Sequence, residues 1–392
     1  MKLRSIRSFA ALKLASLSRI TSSDSVIREL EGLRFIAIVL VFLHHLGGVL
    51  IVKRPDLPIT QAFSNLVWNG RFGVQLFFAI SGFILSLRFA RQHLGSGPKV
   101  KIGPYFTRRL TRLEPPYIIN QVAMFCLLVA MGGSTLLLLP HLAATLIYGH
   151  GLLYGSHSAI NGVGWSLEIE VQFYLLAPLL TKVFAIRSRV ARLATIVSAG
   201  VCAMCLQDYV QADWVRFTFI GYFQYFLVGF ILVDIYLIDW KERPARSAFW
   251  DVVSLAAWVS IAANLCGRPP DTISNWNFLL PVQVLLAYYS AFRGRWSSTA
   301  LRNPWVVTFG GMCYTIYLYH FTMIIGLSRL TLRLGLSHSF LLNYLIQICL
   351  QAPVVFGISA LLFRYTERPF MQRNWLSKLR GRVQAKALPM AA

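Results

Sequence analysis

Apolar stretches of about 20 residues recur along this chain, separated by short polar segments. An α-helix rises about 1.5 Å per residue, so each stretch is long enough to cross the roughly 30 Å hydrocarbon core of a bilayer. The pattern predicts an all-α polytopic membrane protein with about ten transmembrane helices. The predicted spans cover about residues 34–52, 73–90, 116–137, 163–184, 190–207, 216–238, 248–266, 275–292, 305–327 and 339–363.

Charge supports a membrane location. Only 14% of the residues are charged and 56% are apolar, whereas soluble proteins carry about 25% charged residues. Most of the 38 Lys and Arg residues fall in the two terminal segments and in alternate loops, which the positive-inside rule assigns to the cytoplasm. Both termini are therefore predicted to be cytoplasmic. The net charge of +23 is expected to face anionic lipid rather than nucleic acid.

The chain divides into three regions. Residues 1–28 form a basic N-terminal arm, 29–370 a transmembrane domain, and 371–392 a basic C-terminal tail. We interpret the arm as a disordered segment that holds the terminus inside; an interfacial helix or an organellar transit peptide are alternatives. The predicted outer loops are short, so any chemistry must use residues in or beside the helices.

The first span carries ionisable residues that are costly in a membrane. Each costs about 2.5–3.5 kcal/mol on insertion scales, so it is a functional candidate by default. Arg34 and His45 are eleven residues apart, which places them on one helix face about 16 Å apart along the axis. His44 points elsewhere. A structural histidine that bonds neighbouring helices is the alternative interpretation.

A cationic pair precedes the third span. Arg109 and Arg112 are spaced i,i+3, so a helix would present them together. Guanidinium groups match phosphate oxygens in a bidentate manner. The sequence therefore indicates a phosphate-binding site at the cytoplasmic face, with charge that only sets topology as the alternative.

Polar residues also lie in two later spans. Glu168 and Glu170 open the fourth span 200° apart, so at least one must face protein or a cavity. Tyr314, Tyr317 and His320 cluster on one side of the ninth span. We interpret them as lining a cavity, although an interfacial aromatic belt has a similar composition.

Six motifs in order resemble the acyltransferase-3 family of membrane acyltransferases, over about residues 29–370. They are Leu30–Arg34 with His45, Phe72–Phe78 with Ser81–Phe83, Arg109-x-x-Arg112, Trp165–Leu167 with Glu170, Tyr317–His320, and Tyr365–Pro369. The sequence departs from the family at Gln75, where an Asp is frequent, at Val171, where a second acid is frequent, and at Tyr319, where Trp is commoner.

The resemblance implies transfer of an acetyl or other short acyl group from cytoplasmic acyl-CoA, with acetyl-CoA the expected donor. The acceptor would be a hydroxyl of an extracytoplasmic carbohydrate or lipid-linked glycan, and no metal is expected. Arg34, Arg109 and Arg112 would hold the CoA phosphates. The expected location is the bacterial inner or plasma membrane.

The expected catalytic residues are His45 and Glu170. His45 would act as general base on the acceptor hydroxyl; a covalent acyl-imidazole is the rival mechanism. Glu170 would orient the imidazole or bind the sugar. Trp165, Tyr317 and His320 are expected on the acceptor side, where an aromatic face can stack on a sugar ring.

Two other functions stay open. A membrane glycosyltransferase that uses a lipid-linked sugar would usually place acids in its first outer loop, where this chain offers only Asp56. A transporter or flippase for a glycolipid would also need charges within the membrane, but we find no inverted repeat of interrupted helices.

Overall fold

The computed structural model describes residues 17, 19–20, 26–95, 97–210, 213–269, 278–334, 337–372 and 375, and this part of the chain is helical without a strand. The helices are α1 (Arg28–Lys53), α2 (Gln61–Asn69), α3 (Gly73–Leu94), α4 (Ile102–Ala130), α5 (Thr135–Leu146), α6 (His150–Tyr154), α7 (Trp165–Leu180), α8 (Arg189–Val210), α9 (Phe223–Ile238), α10 (Phe249–Cys266), α11 (Leu279–Arg293), α12 (Arg295–Leu301), α13 (Pro304–Gly311), α14 (Cys313–Thr331) and α15 (Phe340–Leu362).

A helix stands at each predicted span, and the protein is an all-α, multi-pass membrane protein. Within the described ranges, seven helical segments are long and apolar enough to cross a bilayer. The three remaining predicted spans correspond to α7, α11 and α14, of 16, 15 and 19 residues. The count of ten spans and the cytoplasmic termini therefore stay predictions. The seven segments are Arg28–Lys53, Gln61–Leu94, Ile102–Ala130, Arg189–Val210, Phe219–Ile238, Phe249–Cys266 and Phe340–Met371.

Two boundaries differ from the predicted spans. The sequence predicts the third span at 116–137, but α4 begins at Ile102 and ends at Ala130, so the Arg109 and Arg112 pair lies within the helix. The ninth span is divided at Met312 into α13 and α14. Gly310 and Gly311 end α13, and glycine is about 1 kcal/mol less favourable than alanine inside a helix.

The helix faces have an inverted polarity relative to a soluble protein. Leucines such as Leu136 and Leu137 are 81% and 72% exposed, on surfaces that lipid can cover. Asn120, Gln121 and Gln351 are instead fully buried between helices. Apolar side chains on the outside cost little in hydrocarbon, whereas polar groups need protein partners there.

A close helix crossing pairs α3 with α9 through two glycines. A Cβ at Gly82 would lie 2.1 Å from the Phe226 carbonyl oxygen, and one at Gly229 would lie 2.3 Å from the Phe83 nitrogen. Only glycine lets the two backbones approach this closely. The contact explains the glycine of the Ser81–Phe83 motif and fixes the position of Ser81.

A group of charged side chains connects α8 to α9. Asp234 is fully buried and accepts hydrogen bonds from Arg192 Nε at 2.6 Å and Arg189 Nε at 2.8 Å. Arg192 also donates to the Ile186 carbonyl at 2.8 Å, and Arg189 donates to both oxygens of Asp239 at 2.7 Å. We call Arg189, Arg192, Asp234 and Asp239 the paired arginine cluster.

Candidate active site

A cavity of about 760 Å³ lies among α1, α3, α4, α7 and α14. The three arginines predicted to bind the donor, Arg34, Arg109 and Arg112, all line it. Arginines outnumber acidic residues on its wall, so we call it the basic cavity. The structure thus brings together cations that are up to 78 positions apart in the sequence.

These arginines are held in different ways. Arg34 donates from Nη1 to Glu31 Oε1 at 2.7 Å. The guanidinium carbon of Arg109 stacks 4.5 Å from the ring centroid of Tyr174 and 5.1 Å from that of Tyr105, a favourable cation–π arrangement. Among the described residues, the buried Nε atoms of Arg109 and Arg112 have no hydrogen-bond partner. Such N–H donors suit an anion that enters the cavity.

Two acids on the wall were not assigned a role from the sequence. Glu31 accepts from Arg34 and, at 2.8 Å, from Arg19 Nη1. Glu367 is buried and accepts from Thr315 Oγ1 at 2.5 Å. A signal for both existed, since Glu31 stands one turn before Arg34 and Glu367 belongs to the closing motif. Arg19 had no comparable signal, because it lies in the basic arm.

Of the two acids of α7, Glu170 faces the cavity and Glu168 faces protein, whereas the 200° separation required this of at least one. Glu170 lines the cavity and accepts hydrogen bonds from Ser81 Oγ at 2.6 Å and from the Tyr174 hydroxyl. Glu168 is buried and accepts from the backbone N–H of Gly151 at 2.8 Å. Glu170 is therefore placed to contact a ligand, whereas Glu168 anchors α6.

Tyr317 forms the inner wall of the basic cavity. Its hydroxyl donates to the Val163 carbonyl at 2.9 Å and accepts from Ser166 Oγ at 2.6 Å, since a carbonyl can only accept. Its ring centroid is 5.8 Å from that of His320. The Tyr317 ring thus lies between the cavity and the histidines behind it, and its predicted role in substrate binding stays a prediction.

His320 is fully buried, and its protonation pattern follows from its contacts. Nδ1 lies 2.8 Å from the Tyr317 carbonyl oxygen and 3.1 Å from that of Ile316. Carbonyls only accept, so Nδ1 carries the hydrogen and Nε2 of the neutral ring has a lone pair. That buried Nε2 has no partner in the described part of the chain.

His45 lies next to His320, with ring centroids 5.0 Å apart. Its ring centroid is also 4.5 Å from that of Phe321 and 4.7 Å from that of His44. His44 instead donates from Nδ1 to the Val67 carbonyl of α2 at 3.0 Å, so its Nδ1 has a structural partner. His45 does not line the basic cavity itself; it lies beyond Tyr317 and His320.

Trp165 lies at the start of α7 in an aromatic group outside the basic cavity. Its ring centroid is 6.0 Å from that of His157 and 5.5 Å from that of Tyr222. Desolvation and the positive charge of Arg71 lower the pKa of His157, so this histidine is favoured in its neutral form. An aromatic group of this kind can stack on a sugar ring.

No three His, Cys, Asp or Glu side chains converge within the ranges that the structure describes. A reaction that needs no metal stays a prediction.

Comparison with known proteins agrees with the motifs. A model of the acyltransferase-3 family, described as an acyltransferase domain, matches residues 27–364. The chain is 24% identical over 392 residues to a Staphylococcus aureus (strain MRSA252) protein named "Putative O-acetyltransferase", covering 89% of this chain and 58% of that protein. No solved structure matches it.

Two further relatives match over shorter lengths. "Putative peptidoglycan O-acetyltransferase" of Bacillus subtilis (strain 168) is 29% identical over 194 residues, 45% of this chain and 27% of that protein. "Regulator of hypoxia-inducible factor 1" of Caenorhabditis elegans is 25% identical over 254 residues, 54% of this chain and 48% of that protein. The chain spans a little over half the length of the staphylococcal relatives. The family match, which covers most of the sequence, shows that this chain belongs to the acyltransferase-3 family of membrane acyltransferases.

Proposed function

We propose that the protein is a membrane-bound O-acyltransferase. It moves an acetyl or other short acyl group from cytoplasmic acyl-CoA to a hydroxyl of an extracytoplasmic carbohydrate or glycolipid, in a bacterial inner or plasma membrane. The observation that carries the proposal is a row of ring contacts that leads from the basic cavity to the histidines. Tyr317 lines the cavity, its ring centroid lies 5.8 Å from that of His320, and the His320 centroid lies 5.0 Å from that of His45.

The acyl-CoA donor is assigned to the basic cavity. CoA carries a diphosphate and a 3′-phosphate, and the unpaired N–H donors of Arg109 and Arg112 would bind such oxygens, together with Arg34. Hydrogen bonds between charged groups are roughly twice as strong as neutral ones. The thioester end of the donor would then extend past Glu170 toward Tyr317.

The acyl-transfer step uses His320 and His45, the two histidines at the end of that row of rings. His45 takes the proton of the acceptor hydroxyl as the oxygen attacks the thioester carbonyl carbon. The carbon–sulfur bond then breaks, and the imidazolium returns the proton to the departing CoA thiolate. The unpaired Nε2 of His320 accepts a hydrogen bond from a second hydroxyl of the acceptor and orients the acceptor.

The acceptor half is assigned to the other side of the histidines. Trp165 and its aromatic neighbours would stack on the sugar ring. Glu170 lies on the donor side, in the wall of the basic cavity, and would bind a sugar hydroxyl or support the imidazole from there. The relatives named as O-acetyltransferases support this class of acceptor chemistry.

The proposal is tested by donor-dependent transfer. Membranes that contain the wild-type protein, and matched membranes without it, are incubated with radiolabelled acetyl-CoA and an extract of cell-surface glycans. We expect alkali-labile label on the glycans only where the protein is present, because an O-ester is cleaved by alkali. No label with any of several acyl-CoAs, despite folded protein, would contradict the proposal and favour a glycolipid transporter.

A further inference from the structure

Two residues from the terminal segments contribute to the wall of the basic cavity. Arg19 belongs to the N-terminal arm and Trp375 to the C-terminal tail, and both line the cavity. Both also lie outside residues 27–364, the part that matches the family. Leu17 and Ile20 pack against the hydrophobic core on either side of Arg19, which fixes this part of the arm against the helices.

The described residues satisfy only part of the hydrogen-bonding capacity of the Arg19 guanidinium group. Nη1 donates to Glu31 Oε1 at 2.8 Å, and the side chain is 16% exposed. Its buried Nε has no partner among the described residues. A buried N–H of a charged group is costly when it stays unpaired. The structure therefore leaves a donor on Arg19 for an anion.

The same cavity contains three other buried N–H donors that have no hydrogen-bond partner among the described residues. They are Arg109 Nε, Arg112 Nε and the indole Nε1 of Trp375, each without a partner in the described ranges. An anion with several acceptor oxygens, such as a phosphate, would satisfy more than one of them. Arg19 shares Glu31 with Arg34, so it belongs to the same charge network as the predicted donor-binding arginines.

Trp375 adds a large aromatic surface at the cavity. Its ring packs edge-on against Phe370, with centroids 4.8 Å apart. Nucleotide bases stack favourably on tryptophan, because every base has a π face. CoA carries an adenine at the end opposite its thiol, close to its phosphates.

We propose that Arg19 and Trp375 bind the nucleotide part of the acyl-CoA donor. Arg19 binds a phosphate group, and Trp375 stacks on the adenine ring. The two terminal segments of this chain thereby complete a donor site whose other residues come from the helices. This inference rests on the proposed function and adds residues outside the family match to it.

The test is direct binding of radiolabelled CoA to the full chain in lipid nanodiscs. Competition with unlabelled adenosine 3′,5′-bisphosphate and with pantetheine separates the nucleotide end from the thiol end. The variants are Arg19→Ala, Arg19→Lys, Trp375→Ala and Trp375→Phe. Arg187→Ala and Trp296→Ala are the matched controls, since both side chains are exposed and neither lines the cavity.

We expect Arg19→Ala and Trp375→Ala to weaken CoA binding about tenfold or more. They should weaken adenosine 3′,5′-bisphosphate equally and leave pantetheine unchanged. Arg19→Lys and Trp375→Phe should recover part of the loss, and both controls should bind like the wild type. Unchanged CoA binding by both alanine variants would overturn this inference while the proposed function stands. A wild-type protein that binds no CoA would overturn the donor assignment itself.

Discussion

Two groups of arginines in this protein differ in how their N–H donors are used. In the paired arginine cluster, Arg192 is 2% exposed and bonds Asp234 and the Ile186 carbonyl. In the basic cavity, the buried Nε atoms of Arg109 and Arg112 meet no acceptor in the described part of the chain. Both groups carry positive charge inside a membrane protein, but only the second leaves buried Nε donors without an acceptor among the described residues.

The difference separates structure from function. A buried ion pair that is fully hydrogen-bonded holds α8 against α9, and removing one partner leaves an uncompensated charge. Unpaired donors around a cavity do not stabilise the fold. They persist because a ligand satisfies them, which is the expected state of an empty anion site. The comparison thus predicts which variants lose stability and which lose binding.

The largest expected effect is on stability, in the paired arginine cluster. Asp234→Asn leaves Arg192 without its carboxylate, and we expect a loss of about 3–5 kcal/mol in the free energy of unfolding. Thermal unfolding of the purified protein in detergent measures it. Asp239→Asn is the matched control, because that partner is at the surface, and it should cost about 1 kcal/mol or less. Equal losses would remove the distinction between the two positions.

The next effect is on binding, in the basic cavity. Arg112→Ala should raise the dissociation constant for CoA about 10- to 100-fold, because it removes hydrogen bonds to a charged ligand. Its melting temperature in the absence of ligand should stay close to that of the wild type. CoA titration and thermal unfolding on the same preparation check both. A melting temperature that falls as far as that of Asp234→Asn would show that Arg112 is structural instead.

The smallest expected effect is that of ionic strength on CoA binding. Raising the ionic strength from about 0.05 to 0.5 M shortens the Debye length from roughly 14 to 4 Å. CoA binding should weaken by about threefold, since the cavity opens to solvent. The melting temperature should respond little, since the Arg192–Asp234 ion pair is buried. Salt-independent binding of CoA would contradict recognition through phosphate charge.

Sequence reasoning recovered the helices because lipid imposes one simple length rule on each apolar stretch. Arg34, Arg109, Arg112 and Tyr317 could be singled out because charged and hydroxyl groups within spans are rare. All four line the cavity, and their binding roles stay predictions. The break at Met312 was missed, because hydropathy continues through it.

The sequence could not show which side chains contact each other in the folded protein. Arg192 and Arg112 look alike as arginines near span ends, and only the position of Asp234 distinguishes them. Arg19 and Trp375 stand in polar tails whose composition gives no sign of a binding role. Nor could periodicity show that Nδ1 of His320 is occupied while its Nε2 is unpaired.

The central claim is that His45 carries out proton transfer at the end of the basic cavity, and His44 provides its matched control. Acetyl transfer to glycans is measured for His45→Ala, His44→Ala and wild type at equal membrane abundance, with CoA binding as the test of folding. We predict that His45→Ala lowers the rate about 10²- to 10⁴-fold and retains CoA binding, whereas His44→Ala loses less than about tenfold. Equal losses in two variants that both bind CoA would contradict the account.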